Sequence, residues 1–314
     1  MAACGARAAG QPRAARIGVL NTTLEDDPEW RARRSAFEQE LGKMGWIEER
    51  NVRFERRWSS IDPSDICTHA AELVASAPDV IVTSSNLATT IVGRQTRTIP
   101  IVFTTAGDPV GTGLVSSMAR PGGNMTGFTT YEIAIGGKWL QLLKEIAPRI
   151  TRVAVIYTPG GAGSEGLLHT VEVLAPSLGV RTTAIPARDP PQIEREMSAF
   201  SADPDSGLIS LTGPNVTIYR EHILAAATRH RLPAIYPGRY YVTNGGLMSY
   251  AADGIEVNRH AASYVDRILR GEKPGDLPVQ FPTKFEMVLN LKTAKALGLA
   301  VPPSILLRAD EMIE

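Results

Sequence analysis

The sequence predicts an α/β protein of two similar Rossmann-like lobes, each built on a parallel sheet, joined by three hinge crossings. Three observations carry this. Short β-branched apolar runs alternate with helical segments, the pattern of parallel sheets covered on both faces. The alternation starts afresh near residue 152 and repeats the earlier series unit by unit. The runs also end in hydroxyls and amides, which an open α/β sheet turns toward the crevice at the carboxyl ends of its strands.

The first series opens with RIGVLN at residues 16–21, a compact strand ending at Asn21-Thr22-Thr23. Trp30, Phe37, Leu41 and Met44 then share one helical face, closed by Gly45. Residues 52–58 alternate as a strand with one wetter face, and residues 70–76 are helical. Apolar runs at 80–83 and 99–103 follow, separated by a helical segment, and read as neighbouring parallel strands. Their endings, Thr83-Ser84-Ser85-Asn86 and Thr104-Thr105-Ala106-Gly107-Asp108, point two polar clusters at one place. Helix caps and ordinary turns account for Ser85, Asn86 and the Asp108-Pro109 step, but do not require so many small hydroxyls.

The second series repeats the plan. RVAVIY at 152–157 matches RIGVL, residues 164–178 form a helix, and 179–185 the next strand. Ile193, Met197 and Phe200 share a helical face. GLISLTGPN at 207–215 matches DVIVTSSN at 79–86 in both strand and polar ending, so Thr212 and Asn215 take the places of the first cluster. Residues 218–229 are helical, and LPAIYP at 232–237 matches IPIVFT at 99–104. Helices over 259–270 and 290–297 complete the chain. Crossings are sought in the Gly/Pro-rich or extended segments 121–129, 245–253 and 277–285. The expected division is a flexible leader at 1–15, a first lobe of 16–128 plus about 249–281, and a second of 129–248 plus about 282–314.

The 314 residues suffice for about two domains. Lys plus Arg and Asp plus Glu both number 33, so no global field exists to hold nucleic acid or an anionic membrane. No apolar run approaches the roughly 18–20 residues of a membrane span. Cys4 and Cys67 lack metal or redox spacing and form no disulfide framework. Ala2-Ala3-Cys4-Gly5 looks like the tail of a lipoprotein cleavage site, without the apolar region of a complete signal peptide before it. An incidental cysteine in a flexible leader is the alternative.

Gly161-Ala-Gly163-Ser-Glu-Gly166 fits a dinucleotide-binding turn after a strand, but the next strand ends in Pro186 without an acidic residue for a ribose. His69, His169, His222, His230 and His260 have no ligand spacing, and no nucleophile elbow occurs. No cofactor and no catalysis are therefore expected. Asp108 is a turn former or the counter-charge of an ammonium group. Phe128, Tyr157, Tyr236, Tyr240, Tyr241 and Tyr250 gather at strand ends and hinges, which suits a flat, partly apolar ligand. The candidate ligand-binding set is Asn21, Ser84, Ser85, Asn86, Thr104, Thr105, Asp108, Phe128, Tyr157, Thr212, Asn215 and Tyr250. A clamshell closing over a small molecule follows from two lobes with facing polar crevices.

From residue 16 to the end, the chain resembles the substrate-binding proteins of ABC-type importers, in the uncharacterised and tryptophan-type group. The resemblance rests on Pro78-Asp-Val-Ile-Val-Thr, Ile99-Pro-Ile-Val-Phe, Gly107-Asp-Pro-Val and Arg120-Pro-Gly-Gly-Asn-Met-Thr-Gly. Gly245-Gly-Leu-Met-Ser-Tyr and the tail from Phe281-Pro-Thr-Lys-Phe-Glu-Met-Val-Leu-Asn add to it. It implies the type 1 periplasmic-binding-protein fold, an extracytoplasmic location, an ABC permease as membrane partner and no chemistry. A monomer that binds no nucleic acid is expected, and Cys4 is the place for a lipid anchor. Apart from the resemblance, small hydroxyls with Asp108 for a carboxylate and an ammonium, against an aromatic hinge, point to an amino acid, an aromatic one first, or a related organic acid as ligand. Two other classes stand beside it: a nucleotide-dependent enzyme using the Gly161 loop, and an effector-binding sensor domain. Ala251 and Ser84-Ser85-Asn86 depart from the family pattern beside the expected ligand, so its identity does not carry over.

Overall fold

The computed structural model describes residues 13–60, 62–203 and 205–314. Cys4, and the expected leader up to residue 12, lie outside the described residues. The first lobe runs β1 (Ala15–Asn21), α1 (Pro28–Lys43), β2 (Val52–Trp58), α2 (Pro63–Ala75), β3 (Val80–Thr83), α3 (Asn86–Gln95), β4 (Ile101–Ala106) and β5 (Met125–Thr129). The second begins with α4 (Ile135–Ile146), β6 (Arg152–Tyr157), α5 (Ala162–Leu174), β7 (Arg181–Pro186), α6 (Pro190–Ser201) and β8 (Ser206–Ser210). It continues through α7 (Pro214–Ile218), α8 (Arg220–Arg229), β9 (Ala234–Tyr236), α9 (Arg239–Thr243) and β10 (Met248–Ala252). Helix α10 (Gly254–Leu269) returns to the first lobe. Strand β11 (Phe285–Asn290), helices α11 (Leu291–Ala296) and α12 (Pro303–Leu306), and strand β12 (Glu311–Ile313) complete the second.

The first sheet has the order β2-β1-β3-β4-β5. The second reproduces it as β7-β6-β8-β9-β10, with β11 and β12 added beyond β10. The duplication read in the sequence is thus a duplication of topology. In each sheet the order reverses beside the first strand, between β1 and β3 and between β6 and β8. Ligand crevices form outside the strand ends at such reversals.

Local chemistry explains the elements. Asp27 caps α1 by accepting the N–H groups of Glu29 and Trp30 at 3.0 and 3.1 Å, with Pro28 filling the first turn. Asp62, Asp189 and Asp253 cap α2, α6 and α10 in the same way. The β-branched run of β3 is buried along its whole length. One face of the first sheet packs Phe37 and Leu41 of α1 with Val257, Ala261 and Val265 of α10. The other packs Ile66 and Leu73 of α2 with Val92 of α3. Each such Leu, Ile, Val or Phe side chain contributes about 1.5–3 kcal/mol by burial. In the second lobe α4 and α5 cover one face around Trp139, and α6 and α8 cover the other around Met197 and Ile223.

Among the differences from the sequence reading, four shape the lobes and their crossings. Segment 125–129, expected as a crossing, is strand β5 of the first sheet. Gly127 hides it, because a β-carbon there would lie 2.7 Å from the Phe103 nitrogen. Helix α4 begins without a side-chain cap and carries Gly136 and Gly137, so no start signal marks it. Strand β11 pairs with β10 antiparallel, against the all-parallel expectation. Finally, β10 is hydrogen-bonded into the second sheet up to Ala252, so that crossing falls at residue 253 and not near 249. The three crossings run side by side: Thr129 donates to the Gln280 carbonyl at 2.9 Å and Asp253 to that of Lys284 at 3.3 Å.

Candidate functional site

Between the lobes lies a cleft of about 560 Å³ whose walls come from both reversal points. The first lobe supplies Thr22, Thr23, Ser84, Ser85, Asn86 and Thr105. The second supplies Thr158, Ser164, Thr212, Gly213 and Asn215. The two walls are built alike. Ser84 Oγ accepts the Thr22 N–H at 3.3 Å, and Ser164 Oγ accepts the Thr158 N–H at 3.0 Å. Asn86 holds the β4 exit, donating to the Gly107 carbonyl at 2.7 Å and accepting its N–H at 2.9 Å. Asn215 likewise donates to the Ala187 carbonyl beyond β7 at 2.9 Å.

Several groups in this wall have polar capacity to spare. Among the described residues, the buried Oγ1 of Thr23 in the first lobe has no hydrogen-bond partner, and that of Thr212 in the second has only the Tyr131 phenol beside it. Such a hydroxyl costs about 1–3 kcal/mol unless something pairs with it. Helix α5 opens onto the cleft at Gly161 without a side-chain cap, leaving first-turn N–H groups available to an anion. Ser85, at φ 82°, caps α3 and donates its own N–H to Thr105 Oγ1 at 2.7 Å.

Apolar walls complete the cleft. Trp30 and Arg33 of α1 line it, with the guanidinium 4.8 Å from the indole centroid and paired to Glu29. Tyr131, Trp139 and Tyr241 line the second-lobe side. Burial pushes the Tyr131 phenol above its usual range, the Thr212 hydroxyl beside it opposing. Burial raises Tyr241 in the same way. At the mouth, Arg220 of α8 reaches Asp27 at 2.5 Å and lies 3.7 Å from the Tyr240 ring centroid. Burial lowers the Arg220 pKa, but the charge and hydrogen bond of Asp27 outweigh it and leave the group raised.

Of the twelve candidates, Ser84, Ser85, Asn86, Thr105, Thr212 and Asn215 line the cleft. The other six stand elsewhere. Asn21 is buried behind the wall, where its carbonyl accepts the Ser59 N–H at 2.9 Å. Thr104 is 2 % exposed and bonds the Thr83 carbonyl at 3.4 Å. Asp108, at φ 44°, accepts the Gly111 N–H at 2.9 Å and forms a turn. Phe128 is packed 4.7 Å from Tyr264 in the first-lobe core. Tyr157 packs on the second-lobe core. Tyr250 stacks on Phe285 at 5.4 Å, across the antiparallel β10–β11 pair.

The sequence reading missed Thr23, Glu29, Trp30, Arg33, Tyr131 and Arg220. Thr23 had a signal in the polar ending of β1, while Trp30 was assigned to a core face. In the Gly161 motif, Gly166 serves packing, since a β-carbon there would lie 3.2 Å from Ile133. Among the described residues, no group of three or more His, Cys, Asp or Glu side chains is arranged to hold a metal, and no helix is long and apolar enough to cross a membrane.

The family described as ABC transporter substrate binding protein matches residues 17–313. A tyrosine-binding protein of Clostridioides difficile is 24% identical over 284 residues, covering 90% of this chain and 81% of that protein. A conserved domain protein from Vibrio cholerae superposes with a TM-score of 0.89 at 27% identity, over 96% of this chain and 100% of the other. An ABC domain from Streptococcus pneumonia in complex with L-Trp gives 0.88 at 22% identity, over the same shares of 96% and 100%.

Proposed function

The chain belongs to the ABC transporter substrate-binding protein family, and from that premise we propose that it is the extracytoplasmic receptor of an ABC importer for an aromatic amino acid. One observation carries the reading most directly. Thr23 of one lobe, whose buried hydroxyl has no partner among the described residues, and Thr212 of the other, whose hydroxyl lies beside the Tyr131 phenol, both line a cleft that also holds indole and phenol walls. A carboxylate suits these hydroxyls and the uncapped start of α5. The ring of the ligand suits Trp30 and Tyr131. Asp108 does not serve as the ammonium partner in this reading, because it is turned into its own loop. Glu29, the acidic side chain among the described residues lining the cleft, takes that role beside its partner Arg33. The relatives named for tyrosine and found with L-Trp support the same class.

The role is binding without catalysis, as a monomer, with an ABC permease as the membrane partner and Cys4 as the place of a lipid anchor. Thermal unfolding in the presence of L-tyrosine, L-tryptophan, L-phenylalanine, aliphatic amino acids, sugars and nucleotides tests it, since a ligand held by the native state raises the transition. The aromatic amino acids are expected to give the largest shifts. A shift confined to sugars or nucleotides overturns the assignment.

A further inference from the structure

We propose that Gly107 is the stop of lobe closure: the first lobe swings in until this residue seats against Tyr131 and Gly163 of the second. The inference deepens the receptor reading and rests on its two-lobed closure. Tyr131 lies in the first crossing but packs with Ile135 and Trp139 in the core of the second lobe, so it moves with that lobe. Gly107 leaves β4 of the first lobe. A β-carbon on Gly107 would collide with the Tyr131 hydroxyl and lie 2.6 Å from its Cζ. One on Gly163 would lie 2.5 Å from the same hydroxyl and 3.6 Å from the Gly107 Cα. Two glycines of opposite lobes therefore face each other with one phenol oxygen between them.

Neither glycine is needed for its backbone conformation, because neither falls among the positive-φ residues. Space is what each provides. Gly107 also cannot retreat, since the Asn86 amide grips its carbonyl at 2.7 Å and its N–H at 2.9 Å. The contact is thus rigid on the first-lobe side and buried on the second, where Tyr131 is 9% exposed. A rigid contact at the cleft wall fixes how far the lobes approach and so the room left for a ligand. It also gives Gly163, the central glycine of the Gly161 motif, a role that owes nothing to nucleotides.

The test uses single-molecule energy transfer between dyes on the native, exposed Cys67 of α2 and on Val173→Cys of α5, which is 66% exposed, in a Cys4→Ser background. Distributions are recorded without ligand and with L-tryptophan. Gly107→Ala is expected to unfold at the parent's temperature yet to lose the high-transfer closed population. Its affinity for L-tryptophan should fall about tenfold or more, as expected when the binding-competent fraction drops. Gly163→Ala should behave alike. Tyr131→Phe should rescue Gly163→Ala, whose nearest remaining ring atom is then Cζ at 3.6 Å, but not Gly107→Ala, which still meets Cζ at 2.6 Å. Equal distributions in parent and Gly107→Ala, or rescue of both variants alike, overturn the stop. If L-tryptophan does not bind the parent, the ligand assignment fails, while the ligand-free distributions still decide on the stop. Should Gly107→Ala fail to fold, the Gly163 and Tyr131 pair decides by itself.

Discussion

Asp27 and Arg220, 193 residues apart in sequence, join the two lobes at the mouth of the cleft through a 2.5 Å ion pair. The side chains are only 8% and 11% exposed, so the pair is shielded from water on both sides. The same Asp27 carboxylate caps α1 with its other oxygen, holding the N–H of Trp30, which lines the cleft. Closure and the placement of an aromatic wall therefore share one carboxylate.

This pair should couple the lobes energetically. Arg220→Met, Asp27→Asn and the double variant, titrated calorimetrically with L-tryptophan, form a cycle whose expected coupling is about 0.5–3 kcal/mol. Asparagine retains an oxygen to cap α1, so the helix itself should persist. Additive losses in affinity would mean that the pair does not act in the ligand-bound state.

Thr104 and Thr105 are adjacent, yet valine should separate them. Thr105 lines the cleft and accepts the Ser85 N–H, so Thr105→Val leaves that donor unpaired. Affinity for L-tryptophan should fall by roughly 1–3 kcal/mol, the cost of an unmade polar contact. Thr104 faces inward on a single 3.4 Å bond, so Thr104→Val should leave affinity unchanged. Equal effects of the two substitutions on binding would contradict this placement.

Asp108→Asn should change neither binding nor folding much. Asparagine tolerates the left-handed backbone at φ 44° and can still accept the Gly111 N–H. A stability change within about 0.5 kcal/mol is expected, as for surface substitutions that remove no special feature. A large loss of amino-acid affinity, with a deaminated analogue binding as before, would restore Asp108 as the ammonium partner.

The sequence by itself determined the two α/β lobes, their repeated strand order and the polar ends at Ser84–Asn86 and Thr212–Asn215. These are local properties: β-branched runs, helix caps and turns act over a few residues, so they can be read where they stand. What the tertiary structure decided is which of those residues see the cleft. A period of two says that Thr104 and Thr105 point opposite ways but not which one points in, and the pairing of β4 with β5 shifts register between Phe103 and Ala106. Tyr250 was legible as a residue near the hinge, but its ring went to Phe285 because β10 and β11 pair antiparallel, a long-range choice. Trp30 and Arg33 looked like any amphipathic helix until the second lobe came within reach of α1. Gly107 and Gly163 carry no mark of their meeting, since a missing side chain leaves no pattern and only the approach of two lobes gives it a function.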